Sequence, residues 1–194
     1  MSFKLREQKL IHNIIERNAK HIKISEDKYY IDSDVLHKLM KGLKAEIPDV
    51  MLVYICAVEL LGTKNRFELI YQVLSISLNE RISLKVQLNE HDIMQSISDI
   101  FSNSAWYERE IWDMYGILFR GNRDMRRLLT DYGFVGHPMR KDFPLTGYIE
   151  IDYNASKSNV EYAPLKLKQD FRNFDAISGW NILHGDEKAI RENI

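Results

Sequence analysis

Cysteine is almost missing from this chain of 194 residues. Cys56 stands alone, which excludes an intramolecular disulfide and an iron–sulfur cluster held by cysteines of this chain alone. An excess of one charge is missing too. Lys+Arg number 27 against 28 Asp+Glu, a formal net charge of −1, so no simple electrostatic argument favours nucleic acid or a membrane surface as partner. No apolar run approaches the roughly 18–20 residues of a membrane helix; the longest, Met51 to Leu61, is far shorter and contains Glu59. The histidines (His12, His21, His37, His91, His137 and His184) are scattered without HxxxH spacing, and CxxC is impossible. There is no Gly-rich phosphate loop, G-x-S-x-G elbow, internal repeat or low-complexity tract. Apolar residues are not scarce. At 45% hydrophobic and 11% aromatic, the chain can build a core, and global disorder is excluded. Its length suits one compact domain with an appendage, or two small domains.

The first twenty residues carry Lys4, Arg6, Lys9, Arg17 and Lys20, with Phe3, Leu10, Ile14 and Ile15 near helical spacing. Glu7 and Glu16 interrupt the basic character, so an ordinary surface helix is favoured over an import helix. A composition rich in Ile and Asn and poor in Ala fits an AT-rich genome, such as that of an organelle.

Tyr29 to Ile31 reads as a short strand. Asp32 or Ser33 can cap a helix from Asp34 to about Ala45, with Val35, Leu36, Leu39, Met40 and Leu43 on one face and Pro48 closing it. Met51 to Leu61 reads as a buried strand and Gly62-Thr63-Lys64-Asn65 as a turn. Phe67, Leu69, Tyr71 and Val73 then alternate with Glu68, Ile70 and Gln72. Ile82, Leu84, Val86 and Leu88 alternate with Ser83, Lys85 and Gln87. Such alternation marks a sheet with one buried face, and short connections make the three strands an antiparallel meander. Ile93, Ile97, Ile100 and Phe101 are spaced for a helix. The expected fold is α+β: an antiparallel sheet with helices packed on one face, followed by an extended irregular C-terminal tail.

A second helix, about Ala105 to Tyr115, is charged and aromatic together, and Gly116 is placed to end it. Tyr107, Ile111, Met114 and Tyr115 make one face; Trp106, Arg109, Glu110 and Asp113 make another. From Arg120 to Lys141 there are six basic residues and two acids. Between Asp131 and Gly147, glycines and prolines among aromatics predict an ordered loop. The segment from Tyr148 onward lacks sustained periodicity yet carries Tyr153, Tyr162, Phe171, Phe174 and Trp180, as a partner-binding tail would.

Three chemistries compete for these residues. Glu108, Glu110 and Asp113 could serve a paired-carboxylate hydrolase. A salt-bridge network is the stronger reading, with Arg109 reaching Asp113 one turn later and Arg126, Arg127 and Arg140 supplying cations. His137 before Pro138 reads as a loop-bracing hydrogen bonder rather than a proton relay, and Cys56 as an inert thiol in an apolar strand. The third is an RNA-binding sheet, but its aromatic pattern fails at Arg120-Gly121-Asn122-Arg123.

The run Glu108-Arg109-Glu110-x-x-Asp113-Met114-Tyr115-Gly116 continues through Asp124-Met125-Arg126-Arg127-Leu128-Leu129-Thr130-Asp131-Tyr132-Gly133-Phe134. With Gly136-His137-Pro138-Met139-Arg140-Lys141-Asp142-Phe143-Pro144-Leu145, it closely resembles the thirty-kilodalton subunit family of respiratory complex I. That family comprises mitochondrial NADH dehydrogenase subunit 9 and the C subunit of bacterial NADH-quinone oxidoreductase. Two departures stand out: the family usually has His-Pro where this chain has Asn122-Arg123, and Ser-Pro-Trp where it has Ser178-Gly179-Trp180.

The resemblance implies a scaffold subunit of the peripheral arm of a proton-pumping NADH:ubiquinone oxidoreductase, with no catalytic, metal-binding or cofactor-binding residue of its own. The complex uses NADH, FMN, iron–sulfur clusters and ubiquinone. Its implied partners are the forty-nine-kilodalton quinone-site subunit and neighbouring peripheral-arm subunits, with no nucleic acid and membrane association only through the complex. The expected location is the matrix side of the mitochondrial inner membrane, organelle-encoded, or alternatively the cytoplasmic side of a bacterial inner membrane. Expected signature and interface residues are Glu108, Arg109, Glu110, Asp113, Arg126, Arg127, Asp131, His137, Arg140, Lys141 and Asp142. The expected organisation is a helical extension (1–30), an α+β core (31–120), an Arg-rich and Gly/Pro signature segment (121–147) and a partner-binding tail (148–194).

Overall fold

A computed structural model of the chain describes residues 10–18, 21–25, 28–167 and 169. In order, these form α1 (Leu10–Asn18), β1 (His21–Ser25), β2 (Lys28–Ile31), α2 (Ser33–Glu46), β3 (Val50–Glu59), β4 (Phe67–Ser75) and β5 (Glu80–Leu88). There follow β6 (Ile93–Gln95), α3 (Ser104–Tyr115), β7 (Leu118–Arg120), β8 (Ile149–Asn154) and β9 (Asn159–Pro164). The chain divides into two compact units at the Gly147–Tyr148 junction.

In the first unit, alternation along β4 and β5 places Phe67, Leu69, Tyr71 and Val73 opposite Leu88, Val86, Leu84 and Ile82, all buried. One residue of β3, Val53, interrupts its register between Leu52 and Tyr54. Leu52 and Ile55 therefore share the inward face, while Tyr54 points outward. A bulge of this kind resets which face a strand buries. Helix α2 supplies Leu36, Leu39, Met40 and Leu43 to the same core, and α1 adds Ile14 and Ile15. Asp32 is the N-cap residue of α2, though its side chain makes no capping hydrogen bond.

The sheet order is β1-β2-β5-β4-β3. The β3-β4-β5 meander is antiparallel as expected, but β2 runs parallel to β5, so the sheet is mixed. Nothing local encodes that pairing, because α2, β3 and β4 lie between its two strands in sequence.

The helix expected around Ile93 to Phe101 is replaced by the short strand β6 and turns. Its helical spacing was coincidental: Met94 and Phe119 are buried where β6 pairs in parallel with β7, across the whole of α3.

In the second unit, β8 and β9 form an antiparallel hairpin. The side chain of Asn154 braces its turn, accepting from Ser156 N at 3.0 Å. This part of the C-terminal segment is thus regular rather than irregular. Each strand is only six residues long, too short for its alternation to stand out in the sequence. Phe171, Phe174, Trp180 and the Gly179 departure lie outside the described residues, as do residues 1–9.

The hydroxyl of Tyr71, wholly enclosed in the core, has no hydrogen-bond partner among the described residues. Removing an unsatisfied buried polar group is favourable, so Tyr71→Phe should raise unfolding stability by about 1 kcal/mol, read as a higher urea midpoint with unchanged slope.

Candidate functional site: a loop clamped by buried ions

Helix α3 is amphipathic in an unusual sense, because its inward face is ionic as well as apolar. Glu108, Arg109, Ile111 and Asp113 are all buried. Gly116 ends the helix at φ +78°, its N–H donating to Trp112 O at 2.8 Å, and the chain then turns into β7 and the signature loop.

Asp113 is fully enclosed. Its Oδ2 accepts three consecutive backbone N–H groups, from Leu128 at 3.0 Å, Leu129 at 2.7 Å and Thr130 at 3.0 Å. Its Oδ1 accepts from Thr130 Oγ1 at 2.6 Å and Arg127 Nη1 at 2.9 Å. Burial alone would oppose ionisation, but the Thr130 hydroxyl and amide, Arg127 and the Leu129 amide outweigh it. They hold the carboxyl well below the usual carboxylate range.

Arg127 also donates to Phe134 O at 3.0 Å and lies over the rings of Trp112 and Phe134. Arg109 does not reach Asp113. It donates instead to the carbonyls of Arg126 at 2.5 Å and Arg127 at 2.6 Å, pairs with Asp124 at 3.2 Å, and stacks on Trp106. Planar guanidinium groups suit this dual role of fork and stacking surface.

Glu108 is equally enclosed, but its hydrogen-bond donors among the described residues are neutral. Ser96 Oγ donates to it at 2.6 Å, Ile97 N at 2.9 Å and Asn122 Nδ2 at 3.0 Å. Burial pushes its carboxyl pKa up against these donors. Glu108 thus ties α3 to the turn after β6 and to the turn after β7. Asn122, one of the two departures from the family pattern, is part of that tie.

The far end of the loop is held in a second place. Arg140 Nε donates to Tyr115 O at 2.6 Å, Met139 N to Met114 O at 3.1 Å, and His137 Nδ1 bonds Asp113 O at 3.0 Å. His137 is therefore a brace, and burial lowers its pKa. Arg66 meets Glu59 at 2.7 Å and Glu90 and Asp142 at 2.6 Å, while the Lys141 amide donates to Glu59 Oε2. Arg66 and Arg140 both lie over the Phe67 ring, at 5.3 and 5.4 Å. A shallow hollow of about 470 Å³ borders this cluster, lined by Arg66, Glu90, Asp142 and the Leu60–Lys64 turn.

Arg109, Asp113, Arg127, His137 and Arg140 therefore converge on the loop, Asp142 and the Lys141 backbone join at its end, and Glu108 anchors its start. Glu110 is exposed and stands outside the network. Arg126 is also outward, its side chain 70% exposed and paired with Asp124. The Asp131 side chain accepts from Tyr132 N at the exposed tip. Asp124, Thr130, Ser96, Glu59, Arg66 and Glu90 join the network although none is among the expected signature and interface residues. Glu59 carried the clearest signal, as the one acid in the apolar run Met51 to Leu61.

The sequence model of a family described as "Respiratory-chain NADH dehydrogenase, 30 Kd subunit" matches residues 29–149, a span holding the β3-β4-β5 meander, α3 and the clamped loop. The chain belongs to this family. Similarity to individual members agrees. The C subunit of the NADH-quinone oxidoreductase of Paramagnetospirillum magneticum is 50% identical over 141 residues, 71% of each chain. The protein of that name in Mesorhizobium japonicum is 48% identical over 144 residues, 72% of each chain. In Brucella ovis it is 51% identical over 144 residues, 72% of this chain and 71% of the relative. A chain of the membrane-bound sulfane sulfur reductase, an archaeal respiratory membrane complex, shares the fold, with a TM-score of 0.59 at 22% identity. That match covers 72% of this respiratory-chain family member and 86% of the archaeal chain.

Asp113→Ala should destabilise the fold by roughly 3–5 kcal/mol, because Arg127 is left buried without its carboxylate. The two acids should give opposite pH signatures. The contribution of Asp113, its pKa depressed, is complete above the unfolded value of about 4 and is lost as pH falls below it. That of Glu108, its pKa raised, is greatest below about 4.3 and declines as pH rises through its folded value. Thermal unfolding should therefore show Glu108→Gln losing less stability than wild type as pH rises above about 4.3.

Gly116 has no room for a side chain. A Cβ there would lie 2.6 Å from the His137 ring and 2.8 Å from Arg140, on a left-handed backbone. Gly116→Ala should destabilise by about 1–3 kcal/mol, and amide exchange should show faster opening of residues 137–140.

Proposed function

We propose that this chain is a non-catalytic scaffold subunit of the peripheral arm of a proton-pumping NADH:ubiquinone oxidoreductase, docking on the quinone-binding forty-nine-kilodalton subunit. The observation that carries the proposal is the contrast between the loop's backbone and its side chains. Residues 127–142 are anchored by Asp113, Arg109, Arg127 and Arg140, while Leu129, Tyr132, Val135 and Leu145 stand 63–90% exposed. A rigid main chain that presents apolar side chains to water is preorganised for a protein partner. Glu108 and Asp113, which a hydrolase would need at a cleft, are enclosed and committed to structural hydrogen bonds.

On this reading the chain binds neither FMN nor an iron–sulfur cluster, and ubiquinone chemistry belongs to its neighbours. The relatives named above are bacterial proteins, which favours the cytoplasmic side of a bacterial inner membrane over the mitochondrial placement. No helix among the described residues is long and apolar enough to cross a membrane, in keeping with attachment through other subunits.

The deciding experiment is affinity purification of the tagged full chain from solubilised membranes. Recovery of a large complex containing flavin and iron, with NADH:quinone activity, is the expected result. Recovery of the chain alone would reject the proposal. Within that complex Arg127 and Arg126 should behave differently. Arg127→Ala unpairs the enclosed Asp113 and should reduce the amount of assembled complex severalfold, with turnover per assembled complex unchanged. Arg126→Ala touches only an exposed pair and should leave assembly at the wild-type level.

A further inference from the structure

Two hydroxyls join the enclosed Glu108 carboxyl to the surface. Ser96 Oγ lies 2.6 Å from Glu108 Oε2, and Ser98 Oγ lies 2.8 Å from Ser96 Oγ. Glu108 and Ser96 are buried, whereas Ser98 is half-buried and borders the exposed Asp99. A serine hydroxyl has one proton and two lone pairs. One lone pair of Ser96 Oγ is taken by the Ser98 N–H at 3.1 Å. The remaining proton and lone pair of Ser96 fit two arrangements over the same oxygens. With Glu108 ionised, Ser98 donates to Ser96 and Ser96 donates to Glu108. With Glu108 protonated, the carboxyl donates to Ser96 and Ser96 donates to Ser98. The Ile97 amide at 2.9 Å and the Asn122 side-chain amide at 3.0 Å donate to the carboxyl in both. No heavy atom has to move between the two.

We propose that Glu108 is a proton-binding site that exchanges with solvent through the Ser96–Ser98 hydroxyl pair while the fold stays closed. In uptake, a hydronium ion or buffer acid at the surface gives a proton to Ser98 Oγ. Ser98 passes its own proton to Ser96 Oγ, and Ser96 passes its own to Glu108 Oε2. Each serine ends with one proton, the carboxylate becomes a carboxylic acid, and the external acid leaves as its conjugate base. Release runs the same steps in reverse.

The surroundings of Glu108 suit a group that changes charge. Tyr71 of β4 faces it, and burial raises the pKa of that phenol, which stays neutral. The buried Ser104 hydroxyl, one turn back on α3, is also neutral. Of its charged neighbours on α3, Arg109 turns to the loop carbonyls and Glu110 is exposed. Beyond Ser98, Asp99 pairs with His37 at 3.0 Å. Beyond β7, Arg123 is exposed and Asp124 pairs with Arg109 and Arg126. No cation among the described residues hydrogen-bonds to Glu108, so burial raises its proton affinity, whereas the donors to Asp113 hold that acid ionised.

Infrared spectroscopy of the purified full chain tests this through the C=O stretch of protonated carboxylic acids. One such band should shrink as pH rises and be missing from Glu108→Gln. In heavy water, the shift of that band on a stopped-flow time base measures exchange of its proton. Ser98→Ala should slow the exchange by about tenfold or more, and Ser98→Thr, which restores the hydroxyl, should return the wild-type rate. The α3 amides, whose exchange reports opening of the fold, should exchange equally in all three proteins. No band lost in Glu108→Gln, equal carboxyl exchange in wild type and Ser98→Ala, or no rescue by Ser98→Thr would each overturn the proposal. So would a parallel slowing of the α3 amides in Ser98→Ala, which would assign the exchange to opening.

Discussion

Five hydrogen bonds to one enclosed carboxylate fix the course of the chain after β7. The Asp113 carboxylate gathers three successive amides, a hydroxyl and a guanidinium. A buried carboxylate is tolerable only when its acceptor capacity is filled, and here filling it requires residues 127–130 to wrap around one point on α3. The same requirement, met from the other side, orients Arg127, whose remaining donor then reaches Phe134. Loop order follows from helix chemistry, although the loop has little secondary structure of its own.

The two buried acids of α3 reach satisfaction by different routes. Asp113 stays charged because cationic and amide donors surround it, whereas Glu108 meets neutral donors and is pushed toward its protonated form. Five residues apart on one helix, they tie it to two different segments, Asp113 to the loop and Glu108 to the turns after β6 and β7. Meanwhile the cluster of Arg66, Glu59, Glu90 and Asp142 fastens the loop's far end to the sheet. The loop is held at both ends by charge buried or half-buried against aromatic rings.

Much of this fold is written locally. The alternation of Phe67 to Val73 and Ile82 to Leu88 predicts the central strands, and Gly116 predicts the end of α3. What escaped the sequence is non-local. The parallel pairing of β2 with β5, and of β6 with β7, depends on partners far apart in the chain, and the spacing of Ile93 to Phe101 imitated a helix instead. In the site, residue types were legible but partners were not. Helical geometry pointed Arg109 toward Asp113, yet backbone carbonyls from the loop outcompeted a same-helix carboxylate. Glu110 and Arg126 carry charges like their neighbours', and only burial distinguishes a clamp residue from a surface one.

The arginines of the clamp direct many of their donors at main-chain oxygens: Arg109 at residues 126 and 127, Arg127 at residues 113 and 134, Arg140 at residue 115. A carbonyl is common to every amino acid. The clamp therefore prescribes the path of the backbone and leaves the outward side chains at its acceptor positions without a say in it. Those positions are free to change identity while the scaffold beneath keeps its shape. A protein surface built this way can be retailored to a new neighbour one side chain at a time.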